Sequence, residues 1–139
     1  MTEPGPRVVV DASALLAFLF RERGWQTVET LLSHARVVAP ASVMVETLYR
    51  SVERGHGLPM IEIQAALHGL GLTTEPVTDA DTVRAAELIL GSRARPESGS
   101  LSLGDGLCLA VAERLEATVT GGDLQWESLD LTVSFLPFR

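Results

Sequence analysis

Short β-branched runs alternate along this chain with longer segments of helical periodicity, and this alternation limits the possible folds more than any other feature. The runs predict strands at Arg7–Val10, Val37–Val38, Leu72–Val77, Ala117–Thr120 and Leu131–Leu136. The intervening segments predict helices at Ala12–Phe20, Gly24–Ala35, Ser42–Arg54, Met60–Leu70, Asp79–Leu90 and Gly104–Glu116. Strands that alternate with helices form a parallel sheet that is covered on both faces. We therefore predict an α/β fold with a central parallel β-sheet of four to five strands, flanked by helices on both faces.

The length of 139 residues suits one compact domain, and the sequence shows no domain linker, so we predict a single domain over residues 1–139. Two Pro and one Gly predict that residues 1–6 fray, and Arg, Ser, Gly and Pro predict a mobile loop over Gly91–Gly99. The apolar stretch Ala14–Phe20 is too short to cross a bilayer, and no segment has the pattern of a signal peptide. Because Cys108 is the only Cys, no internal disulfide can form. We expect a cytoplasmic protein without a membrane partner.

The charge of the chain argues against a simple RNA-binding module. The net charge is −7, whereas a protein that binds nucleic acid over its whole surface is expected to be basic. An acidic chain can still act on phosphate if clustered carboxylates recruit metal cations. All eleven cationic side chains are Arg, whose planar group can grip two phosphate oxygens, and mechanisms that need Lys are excluded.

Four acidic residues stand where predicted strands end or predicted helices begin: Asp11, Glu46, Asp105 and Asp123. Ligands of parallel sheets collect at the carboxyl ends of the strands, so we expect the four carboxylates to converge there. Oxygen-only ligands suit Mg²⁺ and Mn²⁺, which can activate water and stabilise the charge that builds on a phosphate.

Each acid also has an ordinary structural interpretation when it is taken alone. Asp11 can cap a helix, Asp105 can interact with a helix dipole, and Asp123 can belong to a turn. Glu46 can pair with Arg50 four residues later. A solvated helix face explains Asp81 and Glu87 as well as a contact with the site does, and Arg93 and Arg95 could guide RNA or lie in a loop without that role. Only the joint pattern of the four acids indicates function.

That joint pattern resembles the motifs of PIN domains. Val9–Leu15 is similar to the opening motif, in which a strand is followed by Asp and a nearby Ser or Thr. Pro40–Glu46, Leu103–Ala110 and Val119–Asp123 resemble the second, third and fourth motifs, in order, over about residues 8 to 135. The resemblance implies a PIN-like fold and a hydrolase that cleaves RNA phosphodiester bonds with Mg²⁺ or Mn²⁺.

The resemblance also implies a role for each site residue. The acidic metal site comprises Asp11, Glu46, Asp105 and Asp123, with Ser13 and Thr120 as polar helpers near the metal or the attacking water. We predict that the three Asp residues ligate the metal directly or through water, and that Glu46 completes the site or orients the water. The chain departs from the family at Leu124, where a basic or polar residue is usual. It departs again at Gly106, where a bulkier residue is usual and Gly predicts a looser helix start.

A chain of this length resembles the VapC toxins of type II toxin–antitoxin systems. The implied partners are an RNA substrate, a VapB-like antitoxin whose tail covers the acidic site, and a second copy of the chain in a homodimer. A housekeeping RNA-processing PIN nuclease and an inactive PIN-like scaffold remain alternatives. Haloacid-dehalogenase phosphatases also place an Asp after the first strand, but they need a second Asp where this chain has Ser13, and they rely on a Lys that this chain lacks. Response-regulator receivers are disfavoured by the same missing Lys and by the lack of a paired acid before Asp11.

Overall fold

The structure is a computed structural model that describes residues 7–95, 99–121, 126, 129 and 131–139. The predictions for residues 1–6, for the middle of the Gly91–Gly99 loop and for Asp123 lie outside the described residues. Within the described ranges the chain forms four strands and six helices. They follow in the order β1 (Arg7–Val10), α1 (Ala12–Phe20), α2 (Trp25–His34), β2 (Arg36–Pro40), α3 (Ala41–Glu53), α4 (Met60–Gly69), β3 (Thr73–Glu75), α5 (Asp79–Arg93), α6 (Leu103–Arg114) and β4 (Thr118–Thr120).

The strands form one parallel sheet in the order β3-β2-β1-β4, which confirms the predicted fold class. Val8 pairs with both Val37 of β2 and Thr118 of β4, so β1 lies inside the sheet. Val9 and Val10 are fully buried, and burying a side chain of this size stabilises the fold by about 1.5–3 kcal/mol. β3 lies at an edge of the sheet and ends just before Pro76, which suits a residue that cannot donate a backbone hydrogen bond to a neighbouring strand. No described helix has the length and apolar character needed to cross a membrane.

The predicted fifth strand at Leu131–Leu136 is wrong, because in this segment only Phe135 bridges to β4, opposite Val119. The Val119 amide donates to the Ser134 carbonyl at 3.0 Å, and the Leu136 amide donates to the Val119 carbonyl at 2.8 Å. Along a parallel strand, the N–H and C=O of one residue point to the neighbour on one side, and those of the next residue point to the other side. In the three-residue strand β4, only the N–H and C=O of Val119 therefore point away from β1, so β4 offers too few hydrogen bonds to form a fifth strand.

Two helix boundaries also differ from the sequence prediction. Helix α5 continues through Arg93 into the predicted loop, where the buried Ser92 hydroxyl accepts a hydrogen bond from the Leu101 amide at 3.0 Å. Helix α3 begins at Ala41, directly after β2 and one residue before the predicted start at Ser42. Pro40 is the N-cap, and its restricted φ suits the junction between the strand and the helix.

A cluster of ion pairs joins the edge strand to two helices. The Arg114 guanidinium of α6 lies 2.9 Å from Asp81 of α5 and 3.0 Å from Glu75 of β3, and it donates to the Pro76 carbonyl at 3.1 Å. Asp81 also completes the capping box of α5 with Thr78. Its buried carboxylate therefore has a structural role, and Asp81 is not among the described residues that line the acidic cavity below.

Gly106 allows α6 to pack closely on α5. A Cβ at this position would lie 2.8 Å from two side-chain carbons of Ile89 and 3.3 Å from the Ala85 carbonyl oxygen. The expectation that Gly106 loosens the start of the helix therefore misses its packing role. Close contact between the two helices needs a residue without a side chain here.

We expect Gly106→Ala to lower the free energy of unfolding by about 1–2 kcal/mol, because the overpacking strain exceeds the gain in helix propensity. Gly91→Ala in α5 is the matched control, since a Cβ there meets nothing within 4 Å. This control should stabilise the protein by about 0.5–1 kcal/mol. Urea denaturation of both variants measures the difference, and equal stabilisation by the two substitutions would contradict the packing role.

Candidate active site

A cavity of about 490 Å³ opens beyond the carboxyl ends of β1 and β2. Three of the predicted acids line it from three separate segments: Asp11 after β1, Glu46 on α3, and Asp105 in the first turn of α6. The parallel sheet brings them together because the chain leaves β1 and β2 at this edge, and because α6, which leads back to the start of β4, begins there. The polar residues Ser13, Ser42 and Ser102 line the same cavity.

Asp11 is both a helix cap and a member of the cavity wall. Its Oδ1 accepts a hydrogen bond from the Ala14 amide at 2.9 Å, which makes it the N-cap of α1. The Ser13 hydroxyl lies 2.7 Å from each carboxylate oxygen, and the Asp11 amide donates to the Thr120 carbonyl at 3.1 Å. With 8% of its surface exposed, Asp11 is a buried carboxylate whose orientation is fixed by its neighbours.

Glu46 and Asp105 face the cavity from two packed helices. A Cβ on Gly104 would lie 3.4 Å from Glu46 Oε1, so the start of α6 comes close to the Glu46 side chain. The Ser102 hydroxyl caps α6 by accepting from the Asp105 amide at 3.1 Å. Glu46 also makes the predicted pair with Arg50, at 3.9 Å.

Cys108 reports on the local electrostatics of the cavity. Burial, together with the negative charges of Asp11, Asp105 and Glu46, raises the pKa of the Cys108 thiol well above its usual range. The three carboxylates are therefore close enough to act on one buried atom. An arrangement of this kind favours cations in the cavity.

The remaining predicted site residues are not among the described residues that line the cavity. Thr120 lies beside Asp11 at the end of β4, but its buried hydroxyl has no hydrogen-bond partner in the described part of the chain and is not in the cavity wall. The Ser42 hydroxyl is likewise buried without a partner among these residues. Across the described ranges, no three His, Cys, Asp or Glu side chains form a group that could hold a metal ion. Asp123 lies outside these ranges.

The cavity rim carries charged residues that the sequence analysis did not assign to the site. Among the described residues of its wall, Glu22 adds a fourth acidic side chain, and Arg50, Arg54 and Arg139 add three cations. Arg50 and Arg54 could have been assigned to the site from the sequence, because they follow Glu46 at intervals of four residues and so lie on the same helix face. Glu22 and Arg139 come from distant parts of the chain and have no local signal.

Gly121 allows the chain after β4 to pass close to Asp11. A Cβ here would lie 2.7 Å from Asp11 Oδ2 and 2.7 Å from a ring carbon of the buried Trp126. Neither group can move freely, since Asp11 caps α1 and Trp126 lies in the core.

We expect Gly121→Ala to displace the Asp11 carboxylate and to lower the activity of this site about 10- to 100-fold. RNA cleavage, the activity proposed below, is the measurement, with Gly69→Ala as the control because a Cβ there meets nothing within 4 Å. Wild-type cleavage by the Gly121 variant would show that the position of Asp11 is not critical.

The PIN-domain family model matches residues 8–130 of this chain. The chain belongs to the PIN-domain family. A comparison with curated proteins found no match. Solved structures with the same fold include chains of VapBC complexes.

One is a chain of VapBC2 from Rickettsia felis, in a complex with a DNA fragment from the VapBC2 promoter. It has 13% identity to this chain and a TM-score of 0.69, and the match covers 94% of this chain and 98% of that chain.

VapC20 from Mycobacterium tuberculosis, a Sarcin-Ricin loop cleaving toxin, is similar at 20% identity and a TM-score of 0.68, over 88% of this chain and 95% of that chain. A chain of DNA-bound VapBC from Salmonella typhimurium has 12% identity and a TM-score of 0.69, over 96% and 99% of the two chains. At these identities the likeness shows a common fold.

Proposed function

We propose that this PIN domain is a metal-dependent endoribonuclease and the VapC-like toxin of a type II toxin–antitoxin system. The observation that carries the proposal is the convergence of Asp11, Glu46 and Asp105 from three segments on one cavity. The family match and the fold shared with VapC20 and VapBC chains support the same function.

The donor set fits Mg²⁺ or Mn²⁺. The acidic side chains of the cavity offer carboxylate oxygens, the ligands that these hard ions take, and Cys108 is kept as a buried thiol. Asp11, Glu46 and Asp105 share the cavity wall but form no ready group of three ligands, so they would hold the ion only after their side chains closed around it. Asp123 would join them as the family motif implies. When bound, the metal would activate a water and neutralise charge on the phosphate.

The protein's own contribution is to orient these acids. Ser13 and the Ala14 amide fix the Asp11 carboxylate, while the capped start of α6 fixes the backbone of Asp105. Held in this way, the carboxylates need little reorganisation when charge develops on the substrate. Thr120 would act as a polar helper through its carbonyl, which accepts a hydrogen bond from the Asp11 amide.

The proposed partners are an RNA substrate, a VapB-like antitoxin and a second copy of the chain, in the cytoplasm. The similar structures from Rickettsia felis and Salmonella typhimurium are VapBC assemblies, which supports an antitoxin partner. An antitoxin tail that covers this cavity would meet four carboxylates among the described residues of the wall, and Arg is the side chain best suited to pair with them.

Cleavage of total RNA by the purified chain tests the proposal. We expect cutting with Mg²⁺ or Mn²⁺ and none with EDTA, and restored cutting when the metal is returned in excess. The VapC-like assignment further predicts growth arrest when the chain is induced in a bacterial host. Metal-dependent cutting without growth arrest would favour a housekeeping nuclease, and the absence of cutting by folded protein would favour the scaffold alternative.

A further inference from the structure

One face of α3 leads outward from the acidic cavity and carries two Arg residues. Glu46, Arg50 and Arg54 stand four residues apart on α3 and its C-cap, so they lie on one helix face about 6 Å apart along the axis. All three line the acidic cavity, and the two Arg also line a neighbouring hollow of about 280 Å³ with Tyr49 and Glu53. The two Arg thus connect the acids to a continuation of the cavity along α3.

Arg54 is held in place by two contacts near the cavity. Its Nη2 lies 2.7 Å from Glu22 Oε2, and its guanidinium carbon lies 4.1 Å from the centre of the Phe20 ring. The chain reverses after α1 at Arg21, whose left-handed backbone (φ 52°) brings Glu22 to this rim. The Glu22 carboxylate is therefore paired with the Arg54 guanidinium, although 39% of the Arg54 side chain is still exposed to solvent.

Arg50 is more open than Arg54. Its side chain is 53% exposed, and its guanidinium lies 3.9 Å from Glu46, a distance at which an exposed ion pair contributes little. A hydrogen bond with Tyr49 and the charge of Glu46 raise the pKa of the Arg50 guanidinium, so both neighbours act on a side chain that is still about half exposed. An incoming anion can therefore reach Arg50 from solvent, where it competes with Tyr49 and Glu46 for the guanidinium.

The chemistry of this face suits the backbone of a single RNA strand. Arg grips phosphate through two parallel hydrogen bonds, and two guanidinium groups one helical turn apart can follow neighbouring phosphates of an extended strand. The molecule as a whole does not attract RNA, since its net charge is −7. A local cationic subsite beside the acids would therefore decide where the strand enters.

We propose that Arg50 and Arg54 form a subsite for neighbouring backbone phosphates of single-stranded RNA, and that Glu22 occupies Arg54 until the strand displaces it. This phosphate subsite rests on the proposed ribonuclease function and adds the path of the strand. Glu22 acts as an internal competitor, because its Oε2 accepts a hydrogen bond from the same guanidinium that a phosphate oxygen would use.

Binding of a fluorescent single-stranded oligoribonucleotide in EDTA tests the subsite without cleavage. We expect Arg50→Gln and Arg54→Gln each to weaken binding about three- to tenfold, and each to reduce the slope of log affinity against log salt by about 0.7. Arg54→Lys should retain part of the affinity, which separates charge from packing on Phe20. The matched control is Arg36→Gln, an exposed Arg at the opposite edge of the sheet, which should leave binding unchanged.

Glu22→Gln gives a result in the opposite direction. Removing the competing charge should strengthen RNA binding about two- to threefold, provided that Arg54 is present. In the double variant with Arg54→Gln this gain should vanish. A Glu22 variant that binds RNA no better than the wild type would remove the competitor role, and unchanged binding by both Arg variants would overturn the subsite.

The outcomes also separate the subsite from the nuclease function. Metal-dependent cleavage with no response to either Arg variant would retain the nuclease and overturn the subsite. RNA binding that depends on both Arg, without cleavage under any metal, would retain the subsite and overturn the nuclease. If a polyglutamate peptide binds through these Arg and RNA does not, the surface receives an acidic protein and the proposal fails.

Discussion

Asp11→Asn is expected to reduce RNA cleavage about 1000-fold while the fold stays intact. Asn accepts the capping hydrogen bond from the Ala14 amide about as well as Asp, so α1 keeps its N-cap. The substitution removes the negative charge, on which the proposed binding of a metal cation depends. Removing one preorganised electrostatic group commonly slows an enzyme 100- to 1000-fold, and loss of a metal ligand belongs at the upper end.

Three measurements separate the catalytic role of Asp11 from its capping role: the cleavage rate at saturating Mg²⁺, the thermal unfolding midpoint, and Mn²⁺ binding by calorimetry. Asp79→Asn is the matched control, because Asp79 also lies at a helix start but is exposed and away from the cavity. We expect the control to cut normally. Cleavage at the wild-type rate by the Asp11 variant would refute the acidic-site assignment, and a lowered unfolding midpoint would indicate that the cap was lost.

Arg114→Gln is expected to lower the free energy of unfolding at neutral pH by about 2–4 kcal/mol. Asp81 is 2% exposed, and without Arg114 its buried carboxylate would lose its cationic partner. The edge strand would also lose the contacts of Arg114 with Glu75 and the Pro76 carbonyl. Arg36→Gln, which removes an exposed Arg elsewhere, should cost less than about 0.5 kcal/mol.

The effect of Arg114→Gln should shrink in acid. Burial alone would raise the pKa of Asp81, but hydrogen bonds from Arg114 and Thr78 outweigh it and leave the pKa below its ordinary value. A carboxyl group with a lowered folded-state pKa stabilises the protein above its unfolded value, near 4, and loses this contribution as pH falls through the folded value. The wild type should therefore lose stability below about pH 4, and the gap to the variant should narrow.

Urea denaturation at pH 7 and near pH 3 measures both effects of Arg114. Glu113 adds to the acid sensitivity of both proteins. Burial would raise its pKa, but hydrogen bonds from Arg84 and Thr132 leave the pKa below its usual range. A constant gap between variant and wild type at the two pH values would show that Arg114 acts through packing and not through the Asp81 carboxylate.

The sequence by itself indicated the four strands of the sheet, together with a fifth that does not form, and the places of Asp11, Glu46 and Asp105 near the strand ends. Helical periodicity and β-branched runs are local signals, so the strands at Arg7–Val10 and Ala117–Thr120 were found within one residue. An acid that directly follows a parallel strand must lie at the carboxyl edge, whatever the details of packing. Asp11 directly follows β1, and Glu46 lies in the second turn of the helix that starts where β2 ends, so their positions beside one cavity could be predicted from the order of the elements.

The tertiary structure decided which side chains meet across the chain. Arg114 and Asp81 are 33 residues apart, and Arg54 and Glu22 are 32 apart, so no local pattern shows that either pair forms. The close approach of Gly121 to Asp11 likewise depends on the pairing of β4 with β1. Local patterns specify which face of a helix or strand is apolar, but they do not specify which other face it meets. Strand register and close packing determine those contacts, and neither is fixed until the whole core has assembled.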